Sequence, residues 1–135
     1  MINNGNISWN NKFQPTVAFS TTETEYMTLF ESTKEIIWLR QFLLDLGYQQ
    51  KSATTIFMDN QNSISFAKNP IQHNRTKHID IRHHFVREHI EKEDINVEFI
   101  NTTEMIADIF TKALTTEKYK INVRKLGLKK LEWIC

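Results

Sequence analysis

Three acidic side chains lie where a carboxylate could bind a metal ion. Glu25, within "TTETEYMTLF", is spaced to fall at the edge of an apolar helical face. Asp59 ends the apolar run "TTIFMD", where ligands of open α/β sheets gather, and Asp108 borders the apolar stripe of "EMIADIF". Carboxylates that converge repel one another unless a cation neutralises them, and hard oxygen ligands favour Mg²⁺.

Each of these acids also has an ordinary structural explanation. Glu25 could complete a capping box with Thr22, and Asp59 could cap the helix that follows it. Asp108 could be a solvated acid on a helix surface. The pattern of residues therefore leaves open both a metal site and three unrelated structural roles.

Histidines and basic residues are the second group of candidate functional side chains. The four histidines within residues 77–92 are five, one and five positions apart, which differs from the i,i+4 spacing of helical zinc ligands, and no cysteine is near. A phosphate-binding face and a solvated helix face both stay open. The residues that share this face, at spacings of three, four and seven, are Arg75, His78, Arg82 and His89.

The composition predicts one soluble domain whose basic charge lies in two blocks. A chain of 135 residues with 40% hydrophobic content suits a single core. Six basic residues and all five histidines lie in 68–92, and seven basic residues lie in 112–130, although the net charge is only +1. The one cysteine, Cys135, excludes a disulfide framework within the chain and favours a reducing compartment. We see no apolar run of membrane length and no signal-peptide pattern.

The first half of the chain has the pattern of strands alternating with helices. Two short strands over 7–9 and 16–20 are predicted to form a hairpin. A helix over about 22–46 follows, and Gly47 is its predicted stop. The apolar stripe of this helix contains Tyr26, Leu29, Phe30, Ile36, Ile37, Leu43 and Leu44.

The second half continues the alternation and predicts an α/β sheet. A strand at "TTIFM" precedes a short helix at "QNSISFAK", which ends before Pro70. A helix over about 77–92 leads to a half-buried strand at "INVEFI". Helices are then predicted in "TTEMIADIFTKAL", from residue 102 or 103, and in "TEKYKINVRKLGL", with Gly127 as the C-cap.

Four segments together resemble the ribonuclease H region at the carboxyl end of Copia-type retrotransposon polyproteins. They are "ISWNNKFQPTVAFSTTETEYMTL", "TKEIIWLRQFL", "DNQNSISFAKNPIQHNRTKHIDIRHHFVREHI" and "TTEMIADIFTKAL". The resemblance extends over about residues 7–128 and rests on the ordered set of motifs, with no single motif deciding it.

The resemblance implies a ribonuclease H-like mixed sheet with flanking helices, which cleaves the RNA strand of RNA/DNA hybrids made during reverse transcription. It implies two Mg²⁺ or Mn²⁺ ions held by four carboxylates, of which Glu25, Asp59 and Asp108 match three. Two such ions activate a water and stabilise the leaving oxygen. Contacts to the hybrid are expected from the basic blocks, including the tail over 118–130, and from Asn60, Gln61, Lys68, Arg75, Lys77, His78, Arg82 and Lys112.

The resemblance also implies partners and a location. The partners are an RNA/DNA hybrid or other nucleic acid and the rest of the Pol polyprotein, including its reverse transcriptase, and no membrane. The location is the cytoplasm, within a virus-like particle in the parent element, or the nucleus, without secretion.

Two departures from the family pattern modify these expectations. The family's first aspartate lies on an opening strand ahead of Ile7, at the centre of a five-stranded sheet, and the sequence does not contain that segment. We therefore expect a fragment without its first, central strand, with an incomplete two-metal site and weak or no activity. "FINTTEMIAD" also lacks the histidine that often precedes the last aspartate in cellular ribonucleases H. The alternatives are a catalytically silent nucleic-acid-binding module and a non-functional transposon remnant.

Overall fold

The structure is a computed structural model that describes Ser8 and residues 21–68 and 77–128. Of residues 21, 22 and 77–80 only the backbone is described. The described residues form two compact units, one over 21–102 and one over 103–128 together with Ser8. The predicted hairpin over 7–9 and 16–20 lies, apart from Ser8, outside the described residues.

Helix α1 (Thr21–Asp45) confirms the long helix predicted over 22–46. Its end also agrees with the prediction, because Gly47 has a φ of 86°, in the left-handed region that glycine adopts without strain. The Gly47 amide donates to the Leu44 carbonyl at 2.9 Å, and the Tyr48 amide donates to the Leu43 carbonyl at 2.8 Å. This pair of hydrogen bonds is a Schellman motif, which satisfies two of the last carbonyls of the helix.

The predicted apolar stripe of α1 is confirmed except at its carboxyl end. Tyr26 and Leu29 are buried, and three further members pack partly buried against the same core: Phe30, Ile36 and Ile37. Leu44 is 47% exposed, although helical spacing keeps it in line with Tyr26. Its exposure therefore depends on what packs against that end of the helix and not on the periodicity.

Strands β1 (Thr54–Met58) and β2 (Ile95–Phe99) confirm two predicted strands and pair in parallel, with Thr54 opposite Ile95 and Met58 opposite Phe99. Their β-branched residues suit the pleated backbone. Ile95 and Val97 are buried, while Phe99 on the same face is 50% exposed. The described residues thus contain a two-stranded parallel sheet, and the five-stranded mixed sheet that the resemblance implies stays a prediction.

Helices α2 (Gln61–Lys68) and α3 (Lys77–Glu91) confirm the two helices predicted between the strands and pack against both α1 and the sheet. The ring of Tyr26 on α1 stacks on His83 with centroids 4.2 Å apart and meets Phe66 edge-on at 5.2 Å. Burial raises the pKa of the Tyr26 hydroxyl above its ordinary range. Val86 is fully buried beside this cluster, so one core joins three helices and the sheet.

The segment after β2 differs from the prediction. The sequence predicts a single helix from residue 102 or 103, whereas the structure has two short 3₁₀ segments, Thr102–Glu104 and Ile106–Phe110. Met105 between them has extended backbone, with φ −64° and ψ 105°. One extended residue interrupts the chain of i→i−4 hydrogen bonds, so a continuous α-helix cannot form there.

Helix α4 (Thr116–Lys125) confirms the last predicted helix. Thr115 is its N-cap and accepts a hydrogen bond from the Lys118 amide through its hydroxyl. Gly127, the predicted C-cap, has a φ of 72° and donates its amide to the Arg124 carbonyl at 3.0 Å. The glycine signal at the carboxyl end of this helix therefore acts as the sequence predicts, one residue beyond the C-cap Leu126.

None of the helices within the described ranges combines the length and the apolar character that a membrane-spanning segment needs.

Candidate functional site

Asp59 follows β1 directly, at the carboxyl end of the parallel strand pair. Its Oδ2 accepts a hydrogen bond of 3.2 Å from the hydroxyl of Thr102, a residue that lies just beyond β2. The backbone pairing continues to the same place, because the Ile100 amide donates to the Met58 carbonyl at 2.9 Å. Asp59 is therefore held at the edge of the sheet where ligands of parallel strands bind.

The alternative role of Asp59 as a helix cap is wrong. The cap of α2 is Asn60, whose Oδ1 accepts hydrogen bonds from the amides of Asn62 at 2.9 Å and Ser63 at 3.4 Å. An asparagine side chain satisfies these first amides as well as an aspartate would. The Asp59 carboxylate is therefore not occupied by the amides at the start of α2.

Glu25 is half-buried on α1 and reaches across to α2. Its Oε2 accepts a hydrogen bond of 3.1 Å from the hydroxyl of Ser63, which is fully buried. The capping-box alternative with Thr22 is not what this carboxylate does, because α1 already begins at Thr21. Ser63 belongs to the first turn of α2, which starts two residues after Asp59, so the hydrogen bond ties Glu25 to the segment that follows Asp59.

Asp108 lies in the second 3₁₀ segment and is buried, with 5% of its surface exposed. Its Oδ1 is 2.9 Å from the ammonium of Lys112, and its Oδ2 is 3.8 Å from that of Lys118. The alternative of a solvated helix acid is therefore wrong. Asp108 is thus a buried carboxylate, and two lysines of the same chain supply the opposite charge.

The three acids are divided between the two units, with Glu25 and Asp59 in one and Asp108 in the other. Within the ranges that the structure describes, no group of three or more His, Cys, Asp or Glu side chains that could hold a metal ion is found. The convergence of the three carboxylates stays a prediction. The donor atoms themselves, all carboxylate and hydroxyl oxygens, are those that Mg²⁺ and Mn²⁺ accept.

The residues predicted to contact nucleic acid fall into three groups. Gln61 and Lys68 are exposed on α2. Arg75 lies outside the described residues, and Lys77 and His78 begin α3 without described side chains. The other three use their polar groups within the protein, as caps, ring contacts or ion pairs: Asn60, Arg82 and Lys112.

Arg82 belongs to the face of α3 that the sequence marks as a candidate phosphate-binding face. Its guanidinium lies 5.6 Å from the centre of the Phe30 ring and also donates to the Met27 sulfur on α1. His89, another member of that face, has its Nδ1 2.8 Å from Oδ2 of Asp94. These contacts join α3 to α1 and to the turn before β2, so part of the face predicted to bind phosphate has a structural use.

Sequence reasoning missed the hydroxyl donors Ser63 and Thr102. They lie 38 and 43 residues from the carboxylates that they contact, Glu25 and Asp59. The position of Ser63 three residues after Asn60 in "DNQNS" predicts a bond for its backbone amide, which the cap accepts, but not a contact for its hydroxyl. Nothing in the sequence connects Thr102 to Asp59.

Comparison with known proteins relates the chain to transposon polyproteins. It is 42% identical over 124 residues to the retrovirus-related Pol polyprotein from transposon TNT 1-94 of Nicotiana tabacum, which covers 92% of the chain and 9% of that protein. It is 33% identical over 129 residues to the Pol polyprotein from transposon RE2 of Arabidopsis thaliana, covering 96% of the chain and 9% of that protein. It is 31% identical over 122 residues to the Pol polyprotein from transposon RE1 of the same plant, covering 90% of the chain and 8% of that protein.

These relatives are Pol polyproteins of Copia-type retrotransposons, and the chain is homologous to a segment of them. The chain spans about 9% of the length of the first two curated relatives that it matches. No protein-family model matches the chain, and no solved structure matches it.

Proposed function

We propose that the chain is the ribonuclease H-like part of a Copia-type Pol polyprotein and that it takes part in cutting the RNA strand of RNA/DNA hybrids. The substrate would be the hybrid that the reverse transcriptase of the same polyprotein makes. The homology to Pol polyproteins supports the context of this proposal, and the order of the sequence motifs supports the particular segment.

The observation that carries the proposal is the placement of two carboxylates around one end of α2. Asp59 ends β1 of a parallel pair, and Glu25 of α1 is bonded through Ser63 to the helix that begins just after Asp59. Parallel strands joined by helices present their ligands at the carboxyl ends of the strands. We propose that these two acids, from distant parts of the sequence, both face the place where a substrate would bind, because each lies beside the start of α2.

The proposed metal ligands are Glu25, Asp59 and Asp108. Divalent ions held by these residues would supply an activated water and charge stabilisation at the leaving oxygen. Ser63 and Thr102 each donate to one oxygen of a carboxylate and orient it, which leaves the other oxygen for a metal ion. Three carboxylates are one fewer than the resemblance implies, so we propose that full activity requires a longer segment of the polyprotein.

Hydrolysis of a labelled RNA/DNA hybrid tests the proposal. The chain and a version extended by an aspartate-bearing strand ahead of residue 1 are compared, each with and without Asp59→Asn. We expect Mg²⁺-dependent cleavage that is stronger in the extended version and that Asp59→Asn reduces by at least about a hundredfold.

The matched control is Asp45→Asn, which makes the same acid-to-amide change at the exposed carboxyl end of α1. It should leave cleavage unchanged. Cleavage that survives EDTA or Asp59→Asn would overturn the proposed mechanism. Hybrid binding without cleavage by the extended version would favour a catalytically silent binding module instead.

A further inference from the structure

Asp108 is a buried acid in a tight turn. It is 5% exposed, and its backbone carbonyl accepts hydrogen bonds from the amides of Thr111 at 3.2 Å and Lys112 at 2.9 Å. These bonds belong to the turn that closes the second 3₁₀ segment, so the backbone that carries the carboxylate is held in place. A buried carboxylate charge needs a compensating partner of opposite sign.

The partners of Asp108 are, by contrast, removable. The side chains of Lys112 and Lys118 are 52% and 32% exposed, and each ammonium stands on a flexible stem of four carbons. Lys112 approaches Oδ1 and Lys118 approaches Oδ2, so both oxygens of the carboxylate face a cation. Either lysine can leave for solvent at little cost, provided that another cation takes its place.

We propose that Lys112 and Lys118 are built-in counter-ions of Asp108 and that a divalent cation must displace them in order to bind. The inference rests on the proposed function, in which Asp108 is a metal ligand. The two ammonium groups neutralise the acid while no metal is bound, and they compete with the metal for the same oxygens. They therefore lower the metal affinity and stabilise the metal-free protein.

This competition predicts two effects of opposite sign, which a purely structural ion pair would not produce. Removing both lysines leaves Asp108 buried without a partner, which lowers the melting temperature in EDTA by roughly 3 °C or more. The same change frees the carboxylate for a cation, which lowers the Kd for Mn²⁺ by about tenfold. Added Mg²⁺ then raises the melting temperature of the variant more than that of the unchanged chain.

The experiment uses Lys112→Met/Lys118→Met and the control Lys120→Met/Lys125→Met, which removes the same charge from exposed positions of α4. Mn²⁺ binding is measured by electron paramagnetic resonance, and melting temperatures are recorded in EDTA and in millimolar Mg²⁺. If the methionine pair fails to fold, Lys112→Gln/Lys118→Gln replaces it. Adding Asp108→Asn to the lysine changes should abolish both effects, because the neutral amide needs no counter-ion.

The outcomes separate the inference from the proposed function. Tighter Mn²⁺ binding with a lower melting temperature in EDTA, neither seen in the control pair, is the expected result. Equal Mn²⁺ affinity in all proteins overturns the proposed displacement of the lysines by the metal ion and leaves the metal-dependent function intact. A lower melting temperature with no Mn²⁺ binding in any protein overturns both, and the lysines are then ordinary salt-bridge partners.

Discussion

The two hydroxyl groups beside the candidate ligands decide how the carboxylates are presented. An ionised carboxylate accepts through two oxygens, so a donor on one of them restricts rotation while the other stays available. Ser63 does this for Glu25, and Thr102 does it for Asp59. Ser63 is fully buried and Thr102 is exposed, so the Glu25 carboxylate is the more firmly oriented of the two.

Ser63→Ala should weaken metal binding and cleavage with a small effect on folding. The change removes the donor to Oε2 of Glu25, and the loss of such an orienting partner typically costs tenfold or more in metal affinity or activity. The measurements are Mn²⁺ titration and hybrid cleavage by the extended version described above. Ser65→Ala, the same change at an exposed position of α2, is the control. Equal behaviour of the two variants would show that Ser63 does not orient Glu25.

The two halves of helix α1 differ in how much of their surface is buried. Its first half buries Tyr26, Leu29 and Thr33 against α2, α3 and the sheet, and also carries Glu25. Its second half exposes Trp38 and Phe42, whose rings stack on each other at 5.6 Å. The fully buried residues of α1 therefore lie in its first four turns, next to the candidate ligand.

The same substitution at two leucines of α1 tests this division. Leu29→Ala should lower the free energy of unfolding by about 2–5 kcal/mol, because Leu29 is 1% exposed and its loss leaves a cavity. Leu44→Ala should cost roughly 0.5 kcal/mol or less, because Leu44 is already 47% exposed. Urea denaturation gives both values. Similar costs at the two positions would mean that the carboxyl end of α1 is as firmly packed as its centre.

At the scale of the whole molecule, the basic charge is segregated along the chain while the net charge is only +1. In the described residues, part of this charge is paired with acids of the protein, as with Lys112 and Lys118, which both approach Asp108. Lys120, Arg124 and Lys125 are exposed on α4. The predicted binding of a nucleic acid would therefore depend more on α4 and Lys68 than on the face of α3 that carries Arg82 and His89.

Binding to an RNA/DNA hybrid should weaken steeply as salt rises, because each phosphate contact releases a counterion. Lys120→Gln should reduce the slope of log K against log salt by roughly one. Lys51→Gln, an equivalent change at an exposed lysine outside both basic blocks, should leave the slope unchanged. Fluorescence anisotropy between about 50 and 200 mM salt measures both. A hybrid affinity that is insensitive to salt would contradict phosphate-dominated binding.

The sequence by itself determined those features that depend on neighbours within a few turns. Periodicity located α1, α3 and α4, β-branched runs located β1 and β2, and glycines at 47 and 127 ended helices with the positive φ that they alone adopt freely. Local pattern was insufficient at Met105, where one extended residue divides an apparent helix into two 3₁₀ segments. Apolar spacing in "TTEMIADIF" is compatible with either structure, so periodicity could not distinguish them.

Only the tertiary structure decided what each candidate side chain contacts. The sequence marked Glu25, Asp59 and Asp108 as unusual, but it could not assign Ser63 to Glu25 across 38 residues or Thr102 to Asp59 across 43. It also could not show that Asp108 is buried between two lysines or that Leu44 is exposed. The physical reason is that a hydrogen bond or an ion pair acts over a few ångströms, and which distant residues come that close is set by the packing of whole elements against the core.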